Sequence, residues 1–194
     1  MRKFLKRMTG IFLCVAMAAG VYGAIPAYAE GTDTGTDIQA QAAQWPTGPA
    51  VQAASAIIMD ASTGTVLYEK DADTPRYPAS ITKIMTTLLA LENCNLDEMV
   101  HFSATAVYEN EGGTSHIARD LDEEMTLEQC LYGIMLESAN ECSYAVAEHV
   151  GGGDYQKFID MMNAKAAELG CTNTHFNNCN GLPDPAHVVS ARDM

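Results

Sequence analysis

Apolar and polar positions divide the chain into stretches of different rhythm. From Ile11 to Ile25 it is apolar, interrupted only by Gly20 and Gly23, and it follows a basic start with Arg2, Lys3, Lys6 and Arg7. That profile, closing on Ala27-Tyr28-Ala29, predicts a cleavable signal peptide over residues 1–29. The alternative is an uncleaved anchor, but the run falls short of the ~20 residues a spanning helix needs. Ile11-Phe12-Leu13 before Cys14 lack the small residue of a lipoprotein cleavage site. Residues 30–52, made of Gly, Thr, Asp, Gln and Ala with Pro46 and Pro49, read as a flexible linker, because they bury too little apolar surface to offset ordering.

The pattern then changes to that of packed elements, and residues 53–194 read as one domain. Ile57, Ile58 and Met59 within Ala53–Asp60 predict a buried strand, Asp60–Gly64 a turn, and Thr65–Glu69 a second strand. Together they form a β-hairpin with a five-residue connection. After Pro75 and Pro78, residues from Ser80 to Glu92 are apolar or small except at Lys83, which predicts a largely buried helix. Thr126-Leu127-Glu128-Gln129 is a capping box opening a helix to Leu136. Glu141–Val150 and a helix from an Asp154 cap to Gly170 follow, with Gly151–Gly153 as the turn between them. Ser190 to Asp193 reads as the start of another helix just before Met194, so the chain is expected to be the front part of a longer protein.

Charge narrows the classes of partner. The whole chain carries a formal charge of −14; without residues 1–29, seven basic residues face 25 acidic ones, giving −18. Nucleic acid is an unsuitable partner for such a surface, as are anionic lipid and anionic wall polymers held by charge alone. Five cysteines remain after residue 29: Cys94, Cys130, Cys142, Cys171 and Cys179. Their odd number and scattered spacing predict no disulfide framework.

Two short motifs carry candidate chemistry. Ser80 and Lys83, at i and i+3 on a helix, share one face with Cβ atoms about 5–6 Å apart. Lys83 is the only charged residue between Arg76 and Glu92. Apolar surroundings disfavour its charged form, and a neutral amine can take the proton of a serine nucleophile. The second motif, Ser138-Ala139-Asn140, lies between two predicted helices, where a hydroxyl can relay a proton and an amide can hold a carbonyl. Each motif alone is a weak signal, since serine and asparagine also cap helices and lysine also reaches for solvent.

Their combination is more specific. Pro78-Ala79-Ser80-Ile81-Thr82-Lys83-Ile84-Met85-Thr86, Glu124-Met125-Thr126 with Leu131-Tyr132-Gly133, Ser138-Ala139-Asn140-Glu141 and Asn180-Gly181-Leu182-Pro183-Asp184 resemble the serine D-Ala-D-Ala carboxypeptidases. These are low-molecular-mass penicillin-binding proteins, and the resemblance runs from about Ser55 to Met194. It implies that Ser80 attacks the carbonyl between the terminal D-alanines of a peptidoglycan stem peptide, with Lys83 as base. Ser138 would pass a proton to the leaving D-alanine, and Asn140 would hold the substrate's peptide amide. β-Lactams would acylate Ser80 by the same route. The protein would act outside the cytoplasm at the cell wall, with membrane association through a C-terminal anchor as in many relatives.

The family's Lys-Thr-Gly strand motif, which supplies part of the oxyanion hole, does not occur in this sequence. One such donor is worth ~10²–10³ in rate, so the chain by itself is expected to be inactive or poorly folded. The fold class implied is α+β, an incomplete β-lactamase/transpeptidase-like domain: an N-terminal β-hairpin, a mostly helical remainder, and an exposed apolar face where further strands would pack. Two readings compete. A class A β-lactamase shares both motifs but needs a deacylating glutamate, for which the nearest stretch, Glu168-Leu169-Gly170, closes a predicted helix. A non-catalytic cell-wall binding module would keep the fold without turnover. Cys171, His175 and Cys179, with His187 nearby, have metal-ligand spacing, but Thr174-His175-Phe176 fits the family's ordinary sequence there. No metal and no other cofactor is expected.

Overall fold

A computed structural model describes residues 48–109 and 113–194. The predicted signal peptide and the linker up to residue 47 lie outside the described residues. The N-terminal hairpin pairs β1 (Ala56–Met59) antiparallel with β2 (Val66–Lys70), and the register shifts between Ile58 and Met59. Asp60 builds the turn: its Oδ1 accepts from the backbone N–H groups of Ser62 and Thr63, each at 2.9 Å. Residues 48–55 form no regular element, but Lys70 Nζ donates to the carbonyls of Val51 and Ala53, which ties this approach to β2.

The expected first helix is present in two parts, a 3₁₀ turn (Ala79–Thr82) continued by α1 (Lys83–Asn93). A tight 3₁₀ first turn is a common helix start. It is buried less completely than its composition suggested. Thr82, Lys83, Thr86, Leu89 and Ala90 face the interior, whereas Ile81, Ile84 and Leu91 are each more than half exposed. Covering one stripe of the helix by its neighbours leaves the opposite apolar stripe outside.

A second antiparallel pair, β3 (Met99–His101) with β4 (Glu124–Thr126), and a short helix α2 (Ala104–Tyr108) between them escaped the sequence reading. Three-residue strands are too short for alternation to register. The remaining helices match their signals closely: α3 (Leu127–Glu137), α4 (Asn140–Gly151) and α5 (Tyr155–Glu168). Thr126 and Gln129 form the expected capping box, Asp154 accepts from Lys157 N at the start of α5, and Gly152 ends α4 in the left-handed conformation.

Helix α4 is the central element, in contact with α1, α2, α3, α5 and β3. Its buried residues Cys142, Ser143, Ala145, Val146, Ala147 and Gly151 are small, so neighbours approach it on most of its circumference. One apolar cluster lies between α4, α3 and β3, with Phe102, Leu127, Ile134 and Val146 at its centre; a second lies between α4, α5 and the chain near Phe176. Phe102, Phe158 and Phe176 are the largest fully buried side chains, each worth about 1.5–3 kcal/mol of burial.

The C-terminal segment returns to the hairpin end of the molecule. Val189 bridges to Arg76, Val188 bridges to His175, and Arg192 forms ion pairs with Asp73 and Glu69. Ser190 Oγ accepts from Asp193 N as a helix cap would, but residues 191–193 form a turn where the start of a helix was expected. The architecture is therefore the expected partial α+β domain, with two small sheets where one hairpin was anticipated. Among the described residues no helix is long and apolar enough to cross a membrane.

Candidate active site

The 3₁₀ turn presents Ser80 to solvent and places Lys83 one turn below it, in the interior. Ala79, just before Ser80, has φ +50°, a conformation that costs an L-residue roughly 1–2 kcal/mol. The chain must turn sharply there to bring Ser80 to the rim. Lys83 Nζ then lies 3.1 Å from Ser80 Oγ.

The second wall comes from the junction of α3 and α4. Ser138 is the left-handed C-cap of α3 (φ +56°), a position glycine or asparagine usually takes. The cap reverses the chain so that Ser138 Oγ sits 2.9 Å from Ser80 Oγ and 3.2 Å from Lys83 Nζ. Asn140 opens α4, is buried, and directs Oδ1 at Lys83 Nζ (2.7 Å). Four residues named from sequence, Ser80, Lys83, Ser138 and Asn140, are thus brought together from three elements. Asn140 N also donates to Ser115 O, and the buried Glu141 accepts from Ile117 N, which holds segment 115–117 along the start of α4.

The floor was not identified as functional by sequence reasoning. Residues 177–187 form a turn-rich loop in which asparagines bond their own backbone. Asn178 Oδ1 accepts from Gly181 N (2.7 Å), Asn178 Nδ2 donates to Leu182 O, and Asn180 Oδ1 accepts from Leu182 N. The loop gives Lys83 its fourth partner, Asn180 O, at 3.1 Å. It is fastened to the 3₁₀ turn and α1 by Thr86, whose hydroxyl donates to Cys179 O (2.6 Å), and by Thr82, 2.8 Å from His187 Nε2. Gly181 has φ +86°, and a Cβ there would lie 1.8 Å from Ala79 O. No side chain fits between the loop and the turn that carries Ser80. The run Asn177-Asn178-Cys179-Asn180-Gly181 was the available signal for such a turn.

Burial is the main electrostatic influence. It pulls the Lys83 amine down from its ordinary 10.5 to about 8, even though Glu141 nearby pushes the other way. Burial likewise lowers His187 to about 4. His187 is therefore neutral, and its hydrogen-bond partners fix its tautomer: Nδ1 accepts from Asn177 N (2.9 Å), so Nε2–H donates to Thr82. A hydroxyl at the rim, a hydroxyl beside it, and an amine between them that is easily neutralised can activate a serine and pass its proton on.

Other sequence candidates are placed elsewhere. Glu168 is exposed at the end of α5, where it pairs with Lys165. Among the described residues, no three of Cys171, His175, Cys179 and His187 bring ligand atoms within 4.8 Å of one another. Cys94, Cys130, Cys142, Cys171 and Cys179 are all free thiols.

Comparison with known proteins agrees with this geometry. A family model described as D-alanyl-D-alanine carboxypeptidase matches residues 39–194. The D-alanyl-D-alanine carboxypeptidase DacF of Bacillus subtilis is 40% identical over 145 residues, which are 74% of this chain and 37% of that protein. The crystal structure of penicillin binding protein 5 from Haemophilus influenzae superposes with a TM-score of 0.72 at 31% identity, covering 77% of this chain and 45% of that one. The Streptomyces K15 DD-transpeptidase structure gives a TM-score of 0.70 at 35% identity, covering 76% of this chain and 60% of that one. The chain thus spans less than two thirds of the length of each of these three.

Proposed function

The chain belongs to the D-alanyl-D-alanine carboxypeptidase family, and on that premise we propose that it carries the nucleophile and base of an enzyme removing the terminal D-alanine from peptidoglycan stem peptides. The observation that carries this reading is the convergence of Ser80, Lys83, Ser138 and Asn140 within 3.2 Å contacts of Lys83 Nζ. Neutral Lys83 takes the proton of Ser80 Oγ as the oxygen adds to the carbonyl between the two D-alanines. The tetrahedral adduct collapses as Ser138, in contact with both Lys83 and Ser80, hands a proton to the departing D-alanine nitrogen. The acyl group remains on Ser80 until water removes it. Asn140, whose Oδ1 faces the Lys83 amine, offers its Nδ2 donors to a carbonyl of the stem peptide. The 3₁₀ turn supplies the Ser80 backbone N–H as one oxyanion donor.

A penicillin presents a strained amide of the same shape, so it acylates Ser80 by the same steps. Residues 1–29 act as the export signal that brings the protein to the cell wall, and residues 30–52 as the tether before the domain. The position of Glu168, remote from the site and paired with Lys165, argues against β-lactamase turnover. The test is labelling by a fluorescent penicillin of the protein expressed from its complete gene. A covalent adduct that vanishes in Ser80→Ala supports the assignment; an adduct that persists in Ser80→Ala refutes it.

A further inference from the structure

The ends of α1 and α4 away from the active site meet at a second cluster of chemically active side chains. Cys94 is the C-cap of α1, Glu98 lies in the tight turn before β3, and His149 is in the last turn of α4. The Sγ, one carboxylate oxygen and one ring nitrogen of these residues all lie within 4.8 Å of one another. His149 Nε2 is 2.9 Å from Glu98 Oε2. A tetrahedral zinc with bonds of 2.0–2.3 Å needs its ligand atoms roughly 3.3–3.8 Å apart, so small side-chain rotations suffice to enclose an ion.

The cluster is held in place independently of any ion. Glu98 Oε1 accepts from Asn95 N (2.7 Å) and Asn95 Nδ2 (2.9 Å), which orients the carboxylate and leaves Oε2 directed at His149. Backbone bonds from Cys94 N to Ala90 O, Leu127 N to Glu98 O and Glu128 N to Leu96 O fasten the turn to α1 and to the start of α3. Such outer contacts are what orient metal ligands in built sites. All three side chains are partly buried, with His149 23% and Glu98 36% exposed, so the site is reachable without being a loose surface grouping. A soft thiolate, an imidazole and a carboxylate together suit zinc rather than calcium or magnesium, whose ligands are oxygens.

We propose that Cys94, Glu98 and His149 bind one zinc ion, with solvent in the fourth position, as a clamp joining the C-terminal ends of α1 and α4. Binding releases the Cys94 thiol proton to solvent and puts His149 in the Nδ1–H tautomer, with Nε2 donating its lone pair to the metal. The clamp has a structural meaning for the molecule. The same two helices begin at Lys83 and Asn140, whose side chains touch at 2.7 Å, roughly 14–16 Å away along the helix axes. Metal at one end and the Lys83 contact at the other fix the two helices relative to each other.

The test uses the full chain, metal-free, in a non-thiol reductant that keeps all six cysteines reduced. Titration with zinc alone, followed by calorimetry, is expected to saturate at one ion per chain, and zinc is expected to raise the melting temperature. Cobalt in place of zinc is expected to give a thiolate-to-metal charge-transfer band in the near ultraviolet. All three responses are expected to disappear in Cys94→Ser and in His149→Gln, with circular dichroism confirming that the helices remain. Should Cys94→Ser fail to fold, the partly exposed His149→Gln carries the comparison. Absence of saturable one-to-one binding, a cobalt complex without the thiolate band, or zinc binding unchanged in His149→Gln would each overturn the proposal.

Discussion

Gly181→Ala is the most informative single change at the active site. The added Cβ would stand 1.8 Å from Ala79 O and 2.2 Å from Ala79 C. An ordinary carbon-to-oxygen contact is about 3.3 Å, so loop and turn must separate by about 1.5 Å. The left-handed backbone at φ +86° adds roughly 1–2 kcal/mol, and forced repacking typically adds 1–3, for a total of about 2–5 kcal/mol. Relief has two routes. If the loop retreats, Lys83 loses Asn180 O and Thr86 loses Cys179 O; if Ala79 retreats, it carries Ser80 with it. A misplacement of about 1 Å costs reactions of this kind on the order of 10²-fold. Gly152→Ala is the control, because Gly152 has φ +71° but its nearest neighbour, Lys157 Nζ, is 3.9 Å from the added carbon. It should lose about 1–2 kcal/mol of stability without changing reactivity. The assay is the second-order rate of fluorescent-penicillin acylation beside a thermal melt for each variant. Gly181→Ala acylating at the wild-type rate, with a melt lowered no more than that of Gly152→Ala, would refute the close packing of loop on nucleophile turn.

Two further predictions concern pH. With the Lys83 amine at about 8, its neutral fraction rises from about one-tenth at pH 7 to about nine-tenths at pH 9. The acylation rate is therefore expected to climb roughly tenfold over that window and level off above it; a midpoint near 10.5 would remove burial as the activating influence. His187 titrates near 6.5 when unfolded but at about 4 when folded, so the unfolded chain takes up the proton first on acidification. Stability is expected to fall by about 3 kcal/mol between pH 6.5 and 4 and then to stop responding to this group, as read from urea melts, with a shallower slope in His187→Gln. An unchanged slope in that variant would assign the acid sensitivity elsewhere.

The contrast between what could and could not be read in advance follows the range of the interactions. Helices α3 and α5 were legible because their signals are local: Thr126 caps with Gln129 and Asp154 caps with Lys157, all within three residues. The hairpin was legible because Ile57–Met59 and the Asp60 turn lie side by side. The Ser80–Lys83 pairing followed from helical spacing alone. The floor of the site had no such record. Thr82 reaches His187 across 105 residues, Lys83 reaches Asn180 across 97, and Thr86 reaches Cys179 across 93. The left-handed conformation of Ala79 was also invisible, since alanine carries no preference for it and only the packing of Gly181 beneath it makes the turn intelligible. The three-residue strands β3 and β4 failed for a different reason: their pairing rests on tertiary packing, not on alternation.

The ring of acceptors around Lys83 sets the direction in which a proton can travel. Among the described residues the amine has four oxygen neighbours, two of them carbonyls, Asn140 Oδ1 and Asn180 O, and two of them hydroxyls. Carbonyl oxygens only accept, so they claim two N–H bonds whatever the charge state. A neutral amine has two hydrogens and one lone pair. With both hydrogens committed to the carbonyls, the lone pair is left facing the hydroxyls of Ser80 and Ser138, the only neighbours with a proton to give. Losing either carbonyl would free the amine to rotate and point a hydrogen, instead of a lone pair, at Ser80, the serine it is proposed to deprotonate. Asn180, through its backbone carbonyl alone, thereby helps decide whether Lys83 behaves as a base or merely as a donor.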